Sequence, residues 1–154
     1  MKVISNSSSL IALSEIGKLN LLNKIFGEVI IPNAVEKEVY REKLPPKWIK
    51  VSSVTQQLAS RILESGLGPG ESEAICLSKE IDVDILILDD LNARRVAEKL
   101  EINITGTLGI LLLAKEKKLI KSIKPLMEEL MKGGFRISDE LCEDVLDLAG
   151  EKSK

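Results

Sequence analysis

The stretch Asp84-Ile85-Leu86-Ile87-Leu88-Asp89-Asp90 decides how this chain reads. Its large aliphatic residues run on without alternating with polar ones, so both faces of the strand they form are buried. That is the habit of a parallel sheet covered by helices on each side. Just upstream, Gly66-Leu67-Gly68-Pro69-Gly70 is the sharpest break in the chain, and Glu71-Ser72-Glu73-Ala74-Ile75 opens a helix after it. Downstream, 94–100 reads as helix and 102–104 as a short strand ending at Thr105-Gly106-Thr107. An apolar helix then follows from Leu108 to Ala114. Toward the N-terminus, Val3-Ile4 leads into Asn6-Ser7-Ser8-Ser9, a strand end and a helix cap. Val29-Ile30-Ile31, bounded by Gly27 and Pro32, is a second buried strand, and the helix after it carries Glu36 and Glu38. Short apolar strands alternate with helices throughout. The expected fold is an α/β domain, a three-layer α/β/α sandwich with a mainly parallel central sheet. A single domain spans 1–150, and 151–154 is expected to fray.

The chain has 154 residues, 44% of them hydrophobic and 30% charged, which is ample for a core and far from a disordered composition. Histidine is absent. That excludes a Ser-His-Asp triad, a His-Cys pair and any histidine-bearing zinc site. The two cysteines, Cys76 and Cys142, are isolated among apolar neighbours and read as buried free thiols in a reducing cytoplasm. No stretch is long and apolar enough to span a membrane. A net charge of -2 argues against indiscriminate nucleic-acid binding but leaves room for a local basic patch.

Ligands of an open parallel sheet bind beyond the carboxyl ends of its strands. Asn6-Ser7-Ser8, Asp89-Asp90 and Thr105-Gly106-Thr107 all fall at such ends, with Glu73 in the first turn of a helix and Glu38 in another. Carboxylates gathered at one edge repel each other unless a hard cation sits among them, and Mg²⁺ or Mn²⁺ prefers such oxygen ligands. Metal-assisted phosphodiester hydrolysis is the hydrolytic chemistry that a histidine-free chain leaves open. Plainer readings stand beside this one. Asp89-Asp90 suits a helix cap, Glu71 and Glu73 suit ordinary first-turn acids, and Glu36 and Glu38 suit a solvated helix face. Phosphate-loop and dinucleotide motifs are incomplete: Gly68-Pro69-Gly70-Glu71 lacks the following Gly-Lys, and Thr105-Gly106-Thr107-Leu108-Gly109 is a fragment.

Taken in order, 3–13, 31–39, 68–75, 86–90 and 105–109 resemble the PIN-like domain family, in particular its branch of unknown function related to VapC-type toxins. The resemblance implies a metal-dependent ribonuclease with acids at the C-terminal edge of the sheet. It places Asn6, Glu38, Glu73 and Asp90 at the four catalytic and metal-binding positions, with Asp89 an adjacent candidate ligand. Ser7, Ser8, Thr105 and Thr107 fall on the substrate rim. It also implies a Mg²⁺ or Mn²⁺ cofactor, an RNA substrate and a small DNA-binding antitoxin; apolar helices near the N-terminus suit docking of that partner or of a second copy in a homodimer, and the free thiols suit a cytoplasmic setting. Asn6 departs from the family's aspartate and removes one negative charge from the metal site. Two readings therefore stay open: a ribonuclease with a weakened site, and a PIN-like binding or scaffold protein without catalysis. A phosphoacceptor-like switch built on Asp89-Asp90 would need an acid where Asn6 stands.

Overall fold

The computed structural model of the chain describes residues 1–64 and 66–151. Its elements run β1 (Val3–Ser5), α1 (Ser7–Glu15), α2 (Asn20–Phe26), β2 (Val29–Pro32), α3 (Asn33–Val39), β3 (Ile49–Ser52), α4 (Gln57–Glu64), α5 (Pro69–Glu80), β4 (Ile85–Ile87), α6 (Leu91–Lys99), β5 (Ile104–Thr105), α7 (Thr107–Glu116), α8 (Lys124–Lys132) and α9 (Asp139–Leu148). The five strands form one sheet in the order β3-β2-β1-β4-β5, and every pairing is parallel. The α/β sandwich read from the sequence is the fold of the chain.

The aliphatic runs divide between two cores, one on each face. Val3, Val29, Ile31 and Ile87 point to one side, where they meet α1, α2, α7 and α8. Ile4, Leu86 and Leu88 point to the other, onto α5 and α6. This is the alternation that a pleated strand imposes, with apolar residues needed at every position because both faces are covered.

Several boundaries differ from the sequence reading: α5 starts at Pro69 rather than Glu71, and α7 at Thr107 rather than Leu108. Helix α6 starts at Leu91 rather than Arg94, because Asp90 caps it through Ala93 N at 2.9 Å. The strand expected over 102–104 is β5 at Ile104–Thr105. Ile102 N donates instead to Ala97 O, which closes the end of α6 before the chain enters the sheet. Cys76 is buried, but Cys142 is only half-buried, since α9 packs on the core along one side. Glu151, first of the residues expected to fray, accepts hydrogen bonds from Lys115 Nζ (2.8 Å), Ile123 N (2.8 Å) and Lys124 N (3.2 Å). The remainder of that tail, 152–154, lies outside the described residues.

The strand order has a functional consequence. From β1 the chain builds outward through β2 to β3, then returns to the other side of β1 for β4 and β5. Connections leave β1 and β4 in opposite directions, which makes the space beyond their carboxyl ends a topological switch point. Asn6 follows β1, and Asp89 and Asp90 follow β4.

Candidate functional site at the carboxyl edge of the sheet

Helices α1, α3, α5, α6 and α7 begin at or near this edge. Asn6, Gly68, Asp90 and Gly106 are the N-cap residues of α1, α5, α6 and α7. Helix N-termini carry partial positive charge and unpaired N–H groups, so the edge favours carboxylates even before any ligand arrives.

Asp89 occupies the centre of a hydrogen-bond clasp. Its Oδ1 accepts from Thr107 N at 2.8 Å. Its Oδ2 accepts from Ser9 Oγ at 2.7 Å and from Thr107 Oγ1 at 2.6 Å. Ser9 and Thr107 are fully buried. One half-buried carboxylate thus ties the start of α1 and the start of α7 to the end of β4. Gly106 makes room for it, since a Cβ there would stand 2.6 Å from Asp89 Oδ1.

Asn6 is buried, and its amide is committed on both sides. Oδ1 accepts from Ser9 N at 3.3 Å, and Nδ2 donates to Ser8 Oγ at 3.0 Å. Ser8 is exposed, whereas Ser7 is buried with a hydroxyl that has no hydrogen-bond partner. The Thr105 hydroxyl lies against the bare Cα of Gly109. Among the rim residues expected from the sequence, Thr107 is therefore a strut of the clasp, and Thr105 packs under α7.

The acids sort by helical phase. Residues two apart on an α-helix are rotated about 200° from each other, so Glu71 and Glu73 leave α5 on different sides. Glu73 faces α3, where its Oε1 accepts from Ala34 N at 3.0 Å. Glu71 faces Asp90, and the two carboxyl groups lie within hydrogen-bonding reach. Glu38 approaches from α3 across Gly70; a Cβ on that glycine would stand 2.5 Å from Glu38 Oε1. Burial, then the charge of Asp90, a hydrogen bond with it, and the charge of Glu38 push the Glu71 carboxyl up to about 7. Glu71 Oε2 is buried without a partner. The structure thus brings Glu71, Asp90 and Glu38 together and assigns Glu73 to a contact between α5 and α3. Glu71 was legible only as a first-turn acid. The signal that separates it from Glu73 is the phase of α5 relative to Gly68, which the sequence alone leaves free.

This donor set fits a hard divalent cation in kind: clustered carboxylates, one of them raised to about 7 by burial and by the charges of Asp90 and Glu38, and a buried Ser7 hydroxyl without a partner. It is an open set, not a cage. Among the described residues, no three Asp, Glu or Cys side chains close around a point as metal ligands would. Magnesium suits such a place because it binds through one or two carboxylates and keeps several waters. Asp89 accepts three hydrogen bonds and Asn6 Oδ1 one, so each carries a structural role at this edge and keeps an unused lone pair.

A parallel sheet with its acids at the switch-point edge defines an open α/β domain of the kind that binds ligands beyond its strand ends. The chain belongs to the PIN domain family: the family model DUF3368, described as a PIN domain, matches residues 2–151. Nuclease activity is characteristic of PIN domains, and divalent metals typically serve it. No curated protein and no solved structure matches the chain.

Proposed function

We propose that the protein is a metal-dependent ribonuclease whose site is weakened at Asn6. The observation that carries this reading is the meeting of Glu71, Asp90 and Glu38, from three separate elements, at the switch point between β1 and β4. Like charges at one edge raise the energy of the free protein, and a cation relieves it. Mg²⁺ or Mn²⁺ would supply charge neutralisation at the phosphodiester and activation of the attacking water. The chain's own contribution is to aim Glu71 and Asp90 at one place, to support them with Glu38, and to hold the edge rigid through the Asp89 clasp. Asn6 adds a neutral amide beside them.

The test is cleavage of a mixed-sequence RNA pool by the purified protein in Mn²⁺, Mg²⁺ and EDTA. Asp90→Asn and Glu71→Gln are run beside it. Cleavage that needs the metal and falls by at least about 100-fold in each variant supports the reading. Glu73→Gln separates the two glutamates; it should leave cleavage largely intact. Absence of cleavage by folded protein would favour the second reading, a PIN domain that binds without catalysing. The committed amide of Asn6 speaks for that alternative. The homodimer and the toxin role under a small DNA-binding antitoxin belong to the same proposal. A monomer in light scattering would remove the former, and harmless expression of an active enzyme the latter.

A further inference from the structure

Arg94 lies on the first turns of α6, half-buried, with Nη1 donating to Leu88 O at 3.3 Å. It stands next to the clasp: a Cβ on Gly106 would meet Asp89 Oδ1 at 2.6 Å and Arg94 Nη1 at 2.9 Å. The bare glycine therefore keeps open the space that both groups approach. A half-buried guanidinium normally has an anionic partner, because desolvating an unpaired charge is costly. Arg94 has none. Among the described residues the one ion pair is Lys115–Glu151. Asp89, the carboxylate beside it, already accepts from three other donors. Four of the five guanidinium N–H donors thus have no hydrogen-bond partner among the described residues.

We propose that Arg94 binds a backbone phosphate of the RNA at this edge, with the guanidinium fork offered to its two non-bridging oxygens. This rests on the reading of the edge as an RNA site. The geometry of guanidinium and phosphate is matched, and the fork is already oriented by its bond to Leu88 O. Arg94 also offsets the repulsion that Glu71, Asp90 and Glu38 exert on an incoming phosphate. The acids would take the metal, and Arg94 the substrate.

The experiment measures affinity for a short, fluorescently labelled single-stranded RNA by anisotropy, in EDTA, across a salt series. Wild type, Arg94→Gln, Arg94→Lys and the exposed neighbour Arg95→Gln are compared, each with a thermal melt. EDTA separates binding from cleavage, and repulsion by the acids acts on all variants alike. Loss of Arg94 should weaken binding about tenfold and lower the slope of log K against log salt by about 0.7, the release of one counterion. Arg94→Lys should recover the slope and part of the affinity, and Arg95→Gln should resemble wild type. A purely structural arginine would lower the melting temperature without moving the salt slope. Unchanged affinity and slope in Arg94→Gln, or no RNA binding by wild type, overturns the proposal. The two readings fail separately. An Arg94-dependent slope without cleavage in Mn²⁺ sinks the nuclease and keeps the phosphate site; cleavage with a KM indifferent to Arg94→Gln does the reverse.

Discussion

At Asp89 one carboxylate satisfies three donors, two of them on fully buried side chains. Buried donors left unpaired lose most of their hydration without compensation. Asp89→Ala should therefore cost about 3 kcal/mol in urea unfolding, with the m-value unchanged, and should do so whether or not metal is present. Glu71 is the opposite case, a carboxylate whose charge the fold resists. Its carboxyl lies at about 7 in the folded chain against an ordinary value of 4.5. Between those values the native state holds the proton more tightly than the unfolded state. Stability then falls as pH rises from about 4.5 to 7, and the full loss persists above. In metal-free buffer, Glu71→Gln should melt with wild type at pH 4 and several degrees above it at pH 8. A melting difference independent of pH would detach Glu71 from Asp90. Both residues were visible as acids at element ends. Which one is a strut and which one is strained depends on partners as remote as Ser9 and Glu38, and no local pattern announces those.

Among the elements, α5 makes polar ties at both of its ends. Its first turn presents Glu71, and its bare Gly70 lets Glu38 of α3 come close. Its last residue, Glu80, reaches the start of α4, where it accepts from Thr55 N (2.9 Å), Gln56 N (2.8 Å) and the Thr55 hydroxyl. Burial pushes the Glu80 carboxyl up, but the bonds from Thr55 and Gln56 outweigh it and hold the group below its ordinary value. Such a carboxylate contributes stability above the unfolded pKa, and the contribution is lost as pH falls through the lower folded one. Glu80→Ala should cost about 1 kcal/mol near neutrality, as loss of a helix cap does, and nothing in strong acid. Hydrogen exchange should show the loosening in α4 first. The elements themselves were largely readable: unbroken aliphatic runs marked β2 and β4. Their ends were not. Ile102 looked like strand because it is β-branched and apolar, yet a bond to Ala97 O keeps it outside β5.

Across the whole molecule, the alternation of strands and helices was enough to foresee parallel pairing, since crossover helices leave no other way to join the strands. Strand order was not foreseeable, and it is strand order that sets Asn6 beside Asp89 and Asp90. The molecule's charge economy follows from that edge. Asn6→Asp would add a fourth negative group to an edge that already holds three close carboxyls. In EDTA this variant should melt several degrees below wild type. In millimolar Mn²⁺ the order should invert, because tighter ligand binding to the native state raises its stability in proportion to the logarithm of the affinity gain. Differential scanning fluorimetry across a metal titration reads both effects. A variant that melts low at every Mn²⁺ concentration would place position 6 outside the metal's reach.

The Asp89 clasp also has a kinetic meaning. It joins residues 80 and 18 positions apart along the chain, from Asp89 to Ser9 and to Thr107. Contacts of such long range close only after the strands between them have docked, because the entropy of loop closure must first be met by other burial. The clasp should therefore be absent from the folding transition state. Ser9→Ala ought to refold at nearly the wild-type rate and unfold several-fold faster, a φ-value near zero. The bonds that keep the edge rigid would then act as a latch on the finished molecule, governing how long it lasts rather than how it forms.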